Sequence, residues 1–142
     1  MRADAESVAF DAPGEVFMHY AILCYDSDTV VGGWSKQYDD AVMAKHGAAI
    51  QRIAAARKMG PVARLMPTTA ATTLRGGTRT VVLDGPYAET KEQLLGFYIV
   101  DCENLDEAIE MAKNFMHESG ALEIRPVKFL WHDGQKKPGE TQ

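Results

Sequence analysis

Two side chains in this sequence, His46 and Asp84, each carry a group able to take part in proton transfer. An imidazole titrates close to neutrality, and a carboxylate beside it fixes one tautomer and stabilises the charged ring. A pair of this kind lining a pocket can act as general base and general acid toward a bound small molecule. His46 falls four residues after Val42 and four before Ile50, so it shares the apolar face of a helical segment. Asp84 opens Asp84-Gly85-Pro86, a turn in which Gly85 supplies backbone freedom and Pro86 fixes its own φ. Each residue also has a purely structural reading: a half-buried core histidine, and an aspartate that bonds the backbone of its own turn.

The segment after that turn carries more charge than a chain reversal needs. Glu89, Lys91 and Glu92 read as the solvated first turn of a short helix or, for Lys91, as a cation offered to an acidic ligand at a pocket mouth. Tyr87 and Phe97 flank the segment, and with Lys91 they are the candidate substrate-binding residues. Trp34, Tyr38 and Tyr98 are further aromatics suited to core, interface or pocket wall. No motif places a serine or cysteine nucleophile, since GxSxG and a Cys/His signature are both missing. His19, His46, His117 and His132 show neither HxH nor HExxH spacing, so no metal site and no cofactor is expected, although a lone His/Asp pair can ligate a metal. His132-Asp133, next to Trp131, stands at the start of a polar tail and carries little weight. Cys24 and Cys102 lie in apolar runs without CxxC spacing and read as buried reduced thiols of a cytoplasmic protein, ahead of a disulfide or metal ligand.

A scaffold must bring these residues together, and 142 residues suffice for one domain with a full core. The expected division is a loose N-terminal extension over 1–15, the domain over 16–132 and a flexible tail over 133–142. Lys plus Arg number 15 against 20 for Asp plus Glu, a formal charge of -5 that repels phosphate backbones and argues against nucleic acid as a partner. The first residues lack a signal-peptide pattern, and no apolar run approaches the roughly 20 residues that span a bilayer, so no membrane partner is expected.

The apolar run 16–25 predicts a central strand, and 26–33 a loop. Ser35 caps a long helix with Asp39 and Asp40 in its first turn, ended by Gly60-Pro61. Residues 72–75 and 78–83 flank Gly76-Gly77 as a hairpin, 84–94 hold the turn and short helix, and 95–101 form another strand. Asn104 caps a second helix with Glu107 in the capping-box position, Ser119-Gly120 ends it, and 121–130 is a last strand that Pro126 assigns to an edge or a bulge. This order predicts an α+β sandwich, most simply a ferredoxin-like split βαβ arrangement. Its helices cover one sheet face, and a second copy covering the other predicts a homodimer. If the first strand and the strand at Leu95 were parallel neighbours, Cys24 and Cys102 would sit at the same end of the sheet.

The sequence resembles the YCII-related proteins, and more narrowly those called DGPF-domain proteins. The resemblance rests on Met18-His19-Tyr20-Ala21-Ile22-Leu23-Cys24-Tyr25, on Met43-Ala44-Lys45-His46-Gly47, and on Asp84-Gly85-Pro86-Tyr87-Ala88-Glu89-Thr90-Lys91-Glu92 running into Leu95-Gly96-Phe97-Tyr98. Tyr87 departs from the phenylalanine in the family's name, keeping the ring and adding a hydroxyl. The resemblance implies a dimeric α+β barrel of ferredoxin-like halves and a candidate His/Asp pair at His46 and Asp84. It also implies a small-molecule ligand, since some relatives look like small-molecule enzymes, including one type acting on chlorinated aromatic rings. Others travel with sigma-type transcription factors, which makes such a factor a candidate partner. Two functions follow as expectations: an acid–base enzyme of lyase or hydrolase type, or a non-catalytic ligand-binding or regulatory module.

Overall fold

The computed structural model describes residues 18–131. Its order is β1 (Met18–Asp26), α1 (Asp28–Gly32), α2 (Lys36–Ala55), β2 (Met59–Arg64), β3 (Thr72–Arg75), β4 (Val81–Asp84), β5 (Gln93–Cys102), α3 (Leu105–Ala112) and β6 (Ala121–Pro126), with 3-10 turns at Thr68–Ala70 and Lys113–Phe115. Four strands form an antiparallel sheet in the order β2-β5-β1-β6, and β3 pairs with β4 in a separate two-stranded sheet. Each strand of the split pairs β1/β2 and β5/β6 is separated from its mate by an inserted strand, which is consistent with a ferredoxin-like α+β fold.

Period-two alternation decides which face meets the helices. Tyr20 and Ile22 of β1 and Tyr98, Val100 and Cys102 of β5 join Ala49 and Ile53 of α2, Ala108 and Ala112 of α3, and Phe115 in one core cluster. Ile22 and Val100 are completely buried, and each contributes about 1.5–3 kcal/mol by leaving water. The intervening residues Ala21 and Leu23 fall on the other face, only half-buried.

The caps hold the helices where the sequence puts them. Ser35 Oγ accepts from Tyr38 N at 3.0 Å, and Asn104 Oδ1 accepts from Glu107 N at 2.9 Å. Each such cap is worth about 1 kcal/mol. Glu107 reaches back to the N–H of Glu103 at 2.8 Å, one residue before the capping-box position.

Several expectations need correction. The 26–33 stretch is not a plain loop, because Ser27 caps the short α1 by accepting from Thr29 and Val30. Gly60-Pro61 does not end α2, which stops at Ala55 with Arg57 at φ 60. Both residues instead lie in β2, an edge strand whose ladder to β5 shifts register between Met59 and Val62, so the missing proline N–H is tolerated there. The short helix after Asp84 does not form; that segment is irregular until β5 begins. β1 and β5 run antiparallel, with Cys24 opposite Gly96 and Cys102 opposite Met18, so the two thiols lie toward opposite ends of the ladder. β6 is indeed an edge strand, and Pro126 closes it. The expectations for 1–15 and 133–142, and His132, lie outside the described residues.

Candidate functional site

The long helix α2 carries His46 inward, and the residue is 7% exposed. Its ring lies in a tier of aromatics: 5.4 Å from Phe115 edge-on, 5.0 Å from the tilted ring of His117, and 6.3 Å from Tyr98. Tyr98 stacks on Phe115 at 3.8 Å between centroids. The Tyr98 hydroxyl lies 3.1 Å from His46 Nδ1. Two neutral tautomers satisfy that contact: either the phenol donates and Nε2 carries the proton, or Nδ1–H donates and Nε2 is a lone pair.

Burial, with the neighbouring His117, Lys45 and Arg64, pushes His46 down to about 4, so near neutral pH its ring is uncharged. His117 is lowered for the same principal reason, and burial raises Tyr98 well above the usual phenol range. Among the described residues every fully buried side-chain polar atom has a partner, and His46 Nε2 has none, so Nε2 is the accessible nitrogen.

His46 and Tyr98 border a cavity of about 550 Å³ between α1, α2, the end of β2 and β5. Val31, Trp34, Met43, Ile50 and Phe97 give it an apolar and aromatic wall, and Asp28, Asp39 and Arg64 stand at its edge. Gly96 sets the spacing of that wall. A Cβ there would stand 2.5 Å from the Ala63 carbonyl oxygen, so only glycine lets β2 approach β5 this closely. Cys24 also borders the cavity, but burial pushes its thiol up to about 11, leaving it protonated and a poor nucleophile at neutral pH.

The structure brings His46 and Phe97 to one cavity and leaves the other three candidates elsewhere. Asp84 ends β4 on the two-stranded sheet, solvent-exposed, and does not border the cavity. The expected His46–Asp84 pairing is therefore corrected within this chain: the partner of His46 is Tyr98. Tyr87 is 75% exposed and borders a separate groove of about 740 Å³ beside the hairpin. Lys91 borders neither hollow.

The signature turn instead folds onto β3. Thr73 Oγ1 donates to the Gly85 carbonyl at 2.8 Å, and Arg75 donates to the Tyr87 carbonyl at 3.2 Å with its guanidinium 5.1 Å above the Tyr87 ring. Gly85 takes φ +109, the left-handed region that glycine adopts without strain.

Tyr98 and Arg64 were the residues that pattern reading undervalued. Tyr98 carries a period-two signal with Val100, which places it on the helix-facing side, but nothing in the sequence pairs it with His46. Asp39 reads as a helix-dipole carboxylate, and the structure adds a guanidinium partner, Arg64 Nη2 at 2.8 Å. Among the described residues, no helix is long and apolar enough to cross a membrane.

The family model for the YCII-related domain matches residues 18–131. A protein of Rhizobium meliloti (strain 1021), named as uncharacterized, is 48% identical over 127 residues, covering 87% of this chain and 98% of the relative. The chain belongs to the YCII-related family.

Proposed function

We propose that this YCII-related protein binds a small molecule in the cavity beside His46 and transfers a proton there, in a reaction of lyase or hydrolase type. The observation that supports it is an uncharged, nearly buried imidazole at the wall of a cavity of about 550 Å³, held by Tyr98 through Nδ1 with Nε2 accessible. In this reading His46 is the proton-transferring group and Tyr98 the residue that sets its tautomer. Phe97 contributes wall. Asp84, Tyr87 and Lys91 enter as residues of the hairpin and its loop, and their contribution to binding is expected to be small.

The non-catalytic alternative, a ligand-holding module working beside a sigma-type factor, uses the same cavity and differs only in turnover. We further place the protein in the cytoplasm, where its two free thiols stay reduced, as a homodimer with the ferredoxin-like sheets meeting through Ala21 and Leu23 to form an α+β barrel.

The test is a fragment library screened by ligand-detected NMR on wild type and on Gly47→Phe. Gly47 borders the cavity with open space around its would-be Cβ, so the ring fills the cavity without a backbone clash. Hits lost in that variant support the site, and hits that survive it refute the site. Conversion of a hit by wild type but not by His46→Gln supports catalysis. Equal conversion by both refutes His46 as the proton carrier.

A further inference from the structure

The charged side chains around the cavity are already engaged with the protein itself. Asp39 of α2 accepts from Arg64 of β2 through both oxygens, Oδ1 to Nη2 at 2.8 Å and Oδ2 to Nη1 at 3.5 Å. Asp28 of α1 accepts from the backbone N–H of Thr68 at 3.2 Å and from the Thr68 hydroxyl. These two ties pin the strap at 64–68 against the helix layer from both ends. They leave two carboxylates against one guanidinium at the cavity edge, with the guanidinium already facing a carboxylate. His46 and Tyr98 are both neutral near pH 7, as the burial of each requires. Lys91, the cation that the sequence offers for an acidic ligand, is not at this cavity.

A ligand carboxylate would lose hydration beside two carboxylates, Asp28 and Asp39, at a cavity whose one lining guanidinium is already held by Asp39. It would then have to take Arg64 from Asp39 or go unpaired, and a buried unpaired charge is strongly unfavourable. An uncharged ligand avoids each of those costs. The apolar and aromatic wall formed by Val31, Trp34, Met43, Ile50 and Phe97 suits a flat, apolar body, and one hydrogen-bonding group can meet His46 Nε2. Resting on the proposal that this cavity is the ligand site, we infer that its ligand is uncharged: an apolar, aromatic-sized body with one polar group directed at His46, selected against carboxylates by the Asp39–Arg64 pair.

An isosteric pair of probes tests this, 2-naphthamide and 2-naphthoate, titrated into the full chain while the His46 ring nitrogens are followed by long-range proton–nitrogen NMR. At about pH 7.5 the amide is expected to bind at least tenfold more tightly than the anion, since an order of magnitude is a modest share of the cost of stranding a charge. Asp39→Asn unmasks Arg64 and is expected to narrow that preference about tenfold, through tighter binding of the carboxylate. Equal or tighter binding of 2-naphthoate by wild type overturns the inference while leaving the cavity as a ligand site. An unchanged preference in Asp39→Asn overturns the role given to the ion pair. A failure of both probes to move the His46 signals overturns the inference together with the site on which it rests.

Discussion

Acid should destabilise this protein through His46 before most carboxylates titrate. The unfolded chain holds an ordinary imidazole, with a pKa of about 6.5. The folded chain holds one pushed down to about 4 by burial. Above about pH 7 the ring is neutral in both states and contributes no pH dependence. As pH falls below about 6.5 the unfolded state takes up a proton that the folded state refuses, so stability drops and goes on dropping until the folded ring titrates near 4. At about 1.4 kcal/mol per unit of pKa difference, the loss between about pH 7 and about pH 4.5 is about 2 kcal/mol. His117, shifted in the same direction, adds to the slope. The assay is urea unfolding at a series of pH values for wild type and His46→Gln, whose amide keeps a hydrogen-bonding group near Tyr98 and cannot titrate. The variant should show a shallower decline across that window. Parallel profiles would show that His46 titrates normally in the folded protein and would refute the burial argument.

Other outcomes are equally definite. Gly47→Ala should stabilise the chain by about 0.5–1 kcal/mol in thermal or urea unfolding, because Gly47 is inside α2 with nothing near its would-be Cβ and alanine loses less backbone entropy. Gly96→Ala should destabilise by about 1–3 kcal/mol, since its Cβ would meet the Ala63 carbonyl at 2.5 Å and push β2 off β5; a neutral result would show that the edge strand yields freely. Tyr98→Phe should cost about 1–3 kcal/mol in urea unfolding by leaving His46 Nδ1 without its partner. Asp84→Asn, at an exposed position on β4, should change stability by no more than about 0.5 kcal/mol and leave ligand affinity at the cavity unchanged, measured by calorimetry.

Most of the framework was legible because it depends on local physics. Ser35 and Asn104 announce their helices by cap chemistry, Gly76-Gly77 announces the β3–β4 hairpin, and Pro126 announces an edge. His46 was legible as an inward-facing residue because helical period fixes its face. What failed were features decided across the fold. Gly60-Pro61 looks like a helix stop, yet a register shift at a sheet edge accommodates it as a strand. Asp84 was paired with His46 by the family resemblance, not by any spacing in the sequence. His46 stands on helix α2 and Asp84 on the separate two-stranded sheet, and the polar group that meets His46 is a tyrosine hydroxyl delivered by β5. The Asp39–Arg64 and Asp28–Thr68 ties are likewise tertiary, joining residues 25 and 40 positions apart, and no window on the sequence reveals them.

The most direct test of the account follows the two ring nitrogens of His46 by nitrogen-15 NMR while the tightest-binding fragment is added. The account predicts that Nε2 shifts with the same dissociation constant as the ligand, that Nδ1 keeps its bond to Tyr98, and that both signals stay still in Gly47→Phe. Signals of His46 that stay fixed in wild type, while those around Tyr87 in the hairpin groove move, would contradict it and place binding on the other side of the strap.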